Sequence, residues 1–263
     1  MVGISLYSIV PVRAEAREGA EQNTQMLFGE LCQITNDQSP ITNWTHVRLA
    51  SDGQEGWVDA KMICPMTEEE YHGYAEALKE AATVVFRMTY AVSENNGQTI
   101  PLTAGTKLTK YQDGRFEVLG VGFRIDPNMV ITQPLVLNQE NLLKTLRFFI
   151  NVPYLWGGKN ALGMDCSGFT QVIMSLFGKR LPRNASEQAQ EGLPVASLEE
   201  VQAGDLAFFD HEDGKICHVG IVIDPERIIH CSGRVKVEKL DTQGIYNAEQ
   251  GGYSHHLVDI RRY

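Results

Sequence analysis

The stretch MDCSGFTQVIMSLFG, Met164 to Gly178, decides how this chain is read. Phe169, Val172, Ile173, Leu176 and Phe177 recur at helical spacing, and Gly178 stands where a helix terminates. The pattern predicts an amphipathic helix over about residues 166–177 with Cys166 at its tip. A helix N-terminus carries partial positive charge and unsatisfied N–H groups, which favour a thiolate. The same N–H groups can hold a developing oxyanion. A lone cysteine is most often a small buried hydrophobe; the flanking Asp165, Ser167 and Gly168 argue instead for a nucleophile.

Downstream, Asp205–Phe209, Ile216–Ile223, Arg227–His230 and His256–Ile260 read as strands. Asp224-Pro225-Glu226 makes a turn, so His218 and His230 fall on neighbouring antiparallel strands and can share a face. A histidine alone is as often a satisfied core residue. With Cys166 upstream, a base (His218) oriented by a second polar group (His230) matches the general triad. Upstream, Leu142, Leu143, Leu146, Phe149 and Ile150 predict a helix that Pro153 ends. Tyr154-Leu155-Trp156-Gly157-Gly158 then forms a loop. Residues 138–263 therefore read as α+β, helices packed on an antiparallel sheet.

The N-terminal part reads differently. Residues 1–66 hold short strands around Ser8–Val10, Gln25–Phe28, Leu31–Ile34, Trp44–Arg48 and Gly56–Val58, with an Asp52-Gly53 hairpin signal, as in a small barrel. Residues 67–137 open on a helical connector, in which Thr67 and Glu70 have capping-box spacing. A second β-rich segment follows, with a hairpin at Asp113-Gly114.

A net charge of −10 excludes the basic footprint of a nucleic-acid binder. No run is long and apolar enough to predict membrane insertion, and none at the N-terminus resembles a signal peptide. The expected setting is cytoplasmic, or exported or periplasmic if a leader has been trimmed. The five cysteines are odd in number and lack a CxxC pair, which suggests neither a disulfide framework nor a zinc site. Cys217 and Cys231 each neighbour a histidine on a strand, so they point to the opposite face and read as buried thiols. No metal and no cofactor are expected.

The set Pro153-Tyr154-x-Trp156-Gly157-Gly158, Asp165-Cys166-Ser167-Gly168, Gly204-Asp205-Leu206, His218-Val219-Gly220-Ile221 and Ile229-His230 resembles the NlpC/P60 family of papain-like cysteine peptidases. The two upstream β segments resemble bacterial SH3-like barrels. The resemblance implies γ-D-glutamyl-L-diamino acid endopeptidase activity on murein tri- or tetrapeptides with a free N-terminal L-Ala. It implies that Cys166 is the nucleophile, His218 the base and His230 its orienter, with Tyr154 lining the oxyanion site. Asp165, Ser167, Trp156 and, more weakly, Ser186 would line the substrate pocket; Ser186 reads equally well as a helix cap. The first SH3-like domain would grip the free amine through an acidic residue, here Glu21. The aromatic partner expected near that site is Gln54 in this chain, and Trp57 reads as core. A monomer is the expected state.

Two other functions compete. An N-acetylmuramoyl-L-alanine amidase or acyltransferase would prefer a blocked L-Ala terminus. A non-catalytic peptide- or glycan-binding protein would leave Cys166 no more reactive than the other thiols.

Overall fold

The protein is described by a computed structural model covering residues 1–36, 43–211 and 214–263. It divides into two units, Met1–Gln133 and Pro134–Tyr263.

In the first unit, strands β1 (Val2–Ser5), β2 (Ile9–Arg13), β3 (Gln22–Leu27), β4 (Leu31–Asn36), β5 (Trp44–Leu49), β6 (Glu55–Asp59) and β7 (Ile63–Met66) form one sheet in the order β3-β2-β6-β5-β4-β1-β7. Alternation explains its core. Val10 and Val12 of β2 are fully buried while Ile9, Pro11 and Arg13 are half-buried. The two valines pack with Met26, Val47 and Val58, and each such side chain contributes about 1.5–3 kcal/mol when withdrawn from water. Trp57, expected in the core, is instead half-buried and lies edge-on to His46 at 5.1 Å, because its neighbour Val58 takes the inward position. Gly53 adopts φ 76° in the turn between β5 and β6, where the Gln54 N–H donates to the Asp52 side chain at 3.1 Å.

Helix α1 (Glu68–Lys79) starts with the expected capping box. Thr67 Oγ1 accepts from the Glu70 N–H at 3.2 Å, and Glu70 accepts from the Thr67 N–H at 2.8 Å. Strands β8 (Ala82–Val84), β9 (Met88–Ser93), β10 (Thr99–Thr103), β11 (Lys107–Leu108), β12 (Arg115–Val118), β13 (Val121–Ile125) and β14 (Val130–Ile131) follow. They make a sheet β10-β9-β13-β12 and a second, β11-β8-β14. Asp113 and Gly114 both have positive φ, 45° and 82°, as a two-residue primed turn requires. Phe28 sets its ring edge-on to Phe116 and Phe123, so the strands after α1 share one apolar cluster with β1 and β4.

The second unit opens with α2 (Gln139–Leu146), capped by Asn138. This helix ends before the predicted stop at Pro153. Phe148, Phe149 and Val152 donate to carbonyls three residues back, so the chain tightens into turns once Leu142, Leu146 and Phe149 are buried. A short hairpin, β15 (Lys159–Asn160) and β16 (Gly163–Met164), leads into α3 (Cys166–Leu176). Helix α4 (Ala185–Gln188) and strands β17 (Leu193–Pro194), β18 (Leu206–Asp210), β19 (His218–Asp224), β20 (Arg227–Ser232), β21 (Arg234–Asp241), β22 (Gly244–Asn247) and β23 (Gly252–Arg262) complete it.

The expected sheet is a closed barrel. β23 pairs with β22 through its first half and with β18 through its second, and His256 has a Cα partner on each side. The six strands β18 to β23 therefore form a ring, with register shifts on both sides of β23 where it turns the corner. α3 packs against β19 and β20. Expected to be amphipathic, α3 is buried almost all round. The segment after it covers the far side: Gln188 Oε1 accepts from Thr170 Oγ1 at 2.8 Å, and the Leu181 carbonyl accepts from Gln171 Nε2 at 3.1 Å.

Candidate active site

Cys166 is the first residue of α3, and Asp165 is its N-cap. Gly168 explains the local sequence: a Cβ there would lie 2.2 Å from the Gly158 carbonyl oxygen, so only glycine lets the Tyr154–Gly158 loop rest on the helix start. Asp165 ties the parts together. Its carboxylate accepts from the Gly168 N–H at 2.7 Å, the Gly157 N–H at 2.9 Å, and Arg183 Nη1 and Nη2 at 3.0 and 2.6 Å. Arg183 also donates to Ser167 Oγ at 2.9 Å and is 1% exposed. Arg183 was not found from sequence, because nothing in Leu181-Pro182-Arg183-Asn184 marks an arginine that will be buried.

The sulfur is enclosed, with Cys166 7% exposed. Burial, and then the charge of Asp165, push its thiol up to about 12, against the N–H groups of Val219 and Ser167 that donate to it. Desolvation therefore works against the thiolate expected at a helix tip and outweighs the helix-terminus donors. Val219, whose N–H reaches the sulfur, directly follows His218.

His218 and His230 stand as the strand alternation predicts. β19 and β20 pair Gly220 with His230, which makes His218 a diagonal neighbour on the same face. A Cβ on Gly220 would sit 2.9 Å from the His230 Cβ, so the glycine clears space for the ring. His218 Nε2 and His230 Nδ1 are 2.8 Å apart, and His230 Nε2 lies 2.8 Å from Glu238 Oε2. His255 stacks on His218 with ring centroids 4.1 Å apart, and His211 lies 5.7 Å beyond His255. Burial, then the neighbouring imidazoles, hold His218 well below the usual imidazole range. Burial likewise lowers His230, and His255 falls to about 4. Burial works to raise Glu238, but hydrogen bonds from His230 and Lys236 outweigh it and hold the carboxyl below its usual value. Glu238 and His255 were missed from sequence; β21 was not read as a strand, although Arg234-Val-Lys-Val-Glu-Lys alternates with period two.

Tyr154 is half-buried near Cys166; burial, then the electrostatic influence of Cys166 and Asp165, raise its phenol. Trp156 is 60% exposed. Ser167 and Asp165 are buried against Arg183. Ser186 is exposed within α4, and the cap position it was weighed for is taken by Asn184, whose N–H donates to Glu187 at 3.2 Å. Glu21 is exposed in the first unit, just before β3. Gln54 is half-buried in its turn. Cys231 is buried and its Sγ lies 3.2 Å from the Met164 carbonyl, tying β20 to the residues before Cys166. Cys217, expected to be buried, is exposed because it precedes β19 instead of lying within it. Among the described residues no group of three or more His, Cys, Asp or Glu side chains could hold a metal ion. Among them also, no helix is long and apolar enough to cross a membrane.

Residues 151–260 match the model of the NlpC/P60 family, and residues 12–63 match that of the bacterial dipeptidyl-peptidase SH3 domain. A gamma-D-glutamyl-L-lysine dipeptidyl-peptidase of Bacillus subtilis is 31% identical over 242 residues, 86% of this chain and 78% of the relative. A Bacillus cereus protein of the same name is 36% identical over 123 residues, which is 45% of this chain and 36% of that relative. The crystal structure of an NlpC/P60 family protein from Bacillus cereus superposes with a TM-score of 0.83 at 20% identity, covering 100% of this chain and 99% of that one.

Proposed function

This chain belongs to the NlpC/P60 family, and from that membership we propose that it is a cysteine endopeptidase hydrolysing the γ-D-glutamyl–L-diamino acid bond of peptidoglycan-derived tri- or tetrapeptides that carry a free N-terminal L-Ala. The observation that carries this reading is the thiol of Cys166 at the tip of α3, which accepts from the N–H of Val219 next to His218, whose imidazole pairs with that of His230. Cys166 attacks the γ-carbonyl of D-Glu as its proton passes to Nδ1 of His218, the ring nitrogen that the His230 bond leaves over. The resulting imidazolium gives that proton to the leaving α-amine of the diamino acid. An acyl-enzyme, L-Ala-γ-D-Glu in thioester link to Cys166, remains. Water, deprotonated by His218, then releases the dipeptide and restores the thiol. Tyr154 and the Cys166 N–H would hold the oxyanion. Asp165, Ser167, Trp156 and Ser186 would line the pocket.

The exposed carboxylate of Glu21 is assigned to the substrate's free amine, supported by the SH3-domain match that spans it. We read residues 67–137 as the helical connector and a second SH3-like barrel, supported by the short paired strands β8 to β14. A cytoplasmic monomer is proposed, the five free thiols supporting a reducing setting. Incubating the protein with L-Ala-γ-D-Glu-L-Lys and with its N-acetylated form tests the assignment. Release of L-Ala-γ-D-Glu from the free-amine peptide is the expected result; faster cleavage of the blocked peptide overturns the amine requirement.

A further inference from the structure

Behind the two catalytic histidines stands a carboxylate that the mechanism above does not use. Glu238 comes from β21, where the pairing sets His230 against Lys236 and Ile228 against Glu238, so Glu238 is a diagonal neighbour of His230. Its side chain is 10% exposed, His230 is fully buried, and the two are 2.8 Å apart. Lys236 Nζ approaches the same Oε2 at 3.1 Å. On its outer side the carboxylate borders an open groove whose charged residues include Glu226, Arg227, Arg234, Lys239 and Glu249. From β23, His255 lies 5.9 Å from His230, with His211 beyond it.

An ionised carboxylate can only accept hydrogen bonds. The proton between Glu238 and His230 therefore sits on Nε2 of His230. A neutral imidazole has one N–H, so Nδ1 of His230 carries a lone pair and must accept. The proton across the 2.8 Å gap to His218 then belongs to Nε2 of His218. By the same count Nδ1 of His218 is unprotonated and basic. One carboxylate thus dictates two tautomers in succession, as partners behind an imidazole do elsewhere. Without it, either proton could sit on the other nitrogen, and His218 would present an N–H to the thiol and be unable to take its proton.

Resting on the Cys166–His218 assignment above, we propose that Glu238 is the positioning residue of this site: it fixes the tautomer of His230, and through it that of His218, and its negative charge steadies the imidazolium formed when His218 accepts the Cys166 proton. Lys236 competes for the same oxygen and tempers that charge.

Two variants and two readouts test this. Glu238→Gln keeps the shape and removes the charge. It should lower kcat about 10- to 100-fold, below the full contribution of a general base, and leave KM within about twofold. Its effect should also show without substrate, in the pH profile of Cys166 alkylation by iodoacetamide, followed by mass mapping of the labelled peptide. The acid limb should move to lower pH in Glu238→Gln, because the imidazolium loses its counter-charge. It should move to higher pH in Lys236→Met, which leaves the carboxylate and removes its competitor. A folded Glu238→Gln with wild-type kcat and a superimposable alkylation profile overturns the proposal. If that variant does not fold, Lys236→Met decides, and an unmoved limb overturns it. A wild-type protein whose Cys166 alkylates along this profile yet leaves the murein peptide intact sinks the proposed reaction and leaves the relay standing.

Discussion

The two walls of the site solve opposite problems. On the helix wall, Asp165 and Arg183 form a buried ion pair at the base of α3, and the charge of Asp165 acts against a sulfur anion. On the barrel wall, His218, His230 and His255 are held neutral by burial, with one carboxylate at the back. One wall sets a buried carboxylate–guanidinium pair beside the thiol; the other sets buried imidazoles in front of the Glu238 carboxylate and its Lys236 partner. The contrast teaches that burial opposes charge on the thiol and on the imidazoles alike. In the proposed reaction, the charges made when the thiol proton crosses to His218 would be stabilised from behind, by the Val219 and Ser167 N–H groups on one side and by Glu238 on the other.

The comparison can be broken hardest at the sulfur. Cys166→Ala should reduce dipeptide release by at least ~10⁴-fold while leaving the urea midpoint close to that of the wild type; substantial residual turnover would remove the helix wall from the chemistry. Next comes the ion pair. Arg183→Met leaves the Asp165 carboxylate buried without its cation, which should destabilise the second unit by about 3–5 kcal/mol in urea unfolding, as breaking buried pairs does. A loss below about 1 kcal/mol would mean that the pair behaves as an exposed one.

The barrel wall is sharpened by acid. His218, His230 and His255 have folded values below the ordinary imidazole value of about 6.5, so below that pH the unfolded chain binds more protons than the folded one. Stability from each group is complete above pH ~6.5 and falls by up to about 1.4 kcal/mol per pH unit on acidification; for His255 the loss continues to about pH 4, where its folded form titrates. Glu238, lowered when folded, adds loss of the same sign below its ordinary carboxyl range. Urea unfolding of the second unit between pH 7 and 5 should show this decline, and a flat profile would mean that these rings are hydrated.

Much of this was legible in the sequence because it depends on local pattern. The helix start at Cys166, the alternation that puts His218 and His230 on one face, and the capping box of α1 each need only a few neighbouring residues. What escaped depends on contacts distant in the chain. The upward push on the thiol comes from how deeply α3 is enclosed, and that enclosure comes from residues 181–188 and the barrel. Arg183 is a functional neighbour of Asp165 only because the fold returns it there. β21 alternates plainly, but its Lys236 and Glu238 side chains turn inward while Val237 is exposed, the reverse of what residue polarity suggests, so it read as polar connection and Glu238 went unseen with it.

The closure of the barrel by β23 has a consequence for biogenesis. This strand joins β22 to β18, and β18 begins some forty-six residues before it. Until residues 252–262 have left the ribosome, β18 and β22 present bare edges and His255 has not covered His218. A chain made only as far as β22 therefore lacks a finished proteolytic centre, and the β18–β23 pairing that completes it is non-local, the kind of contact that forms slowly.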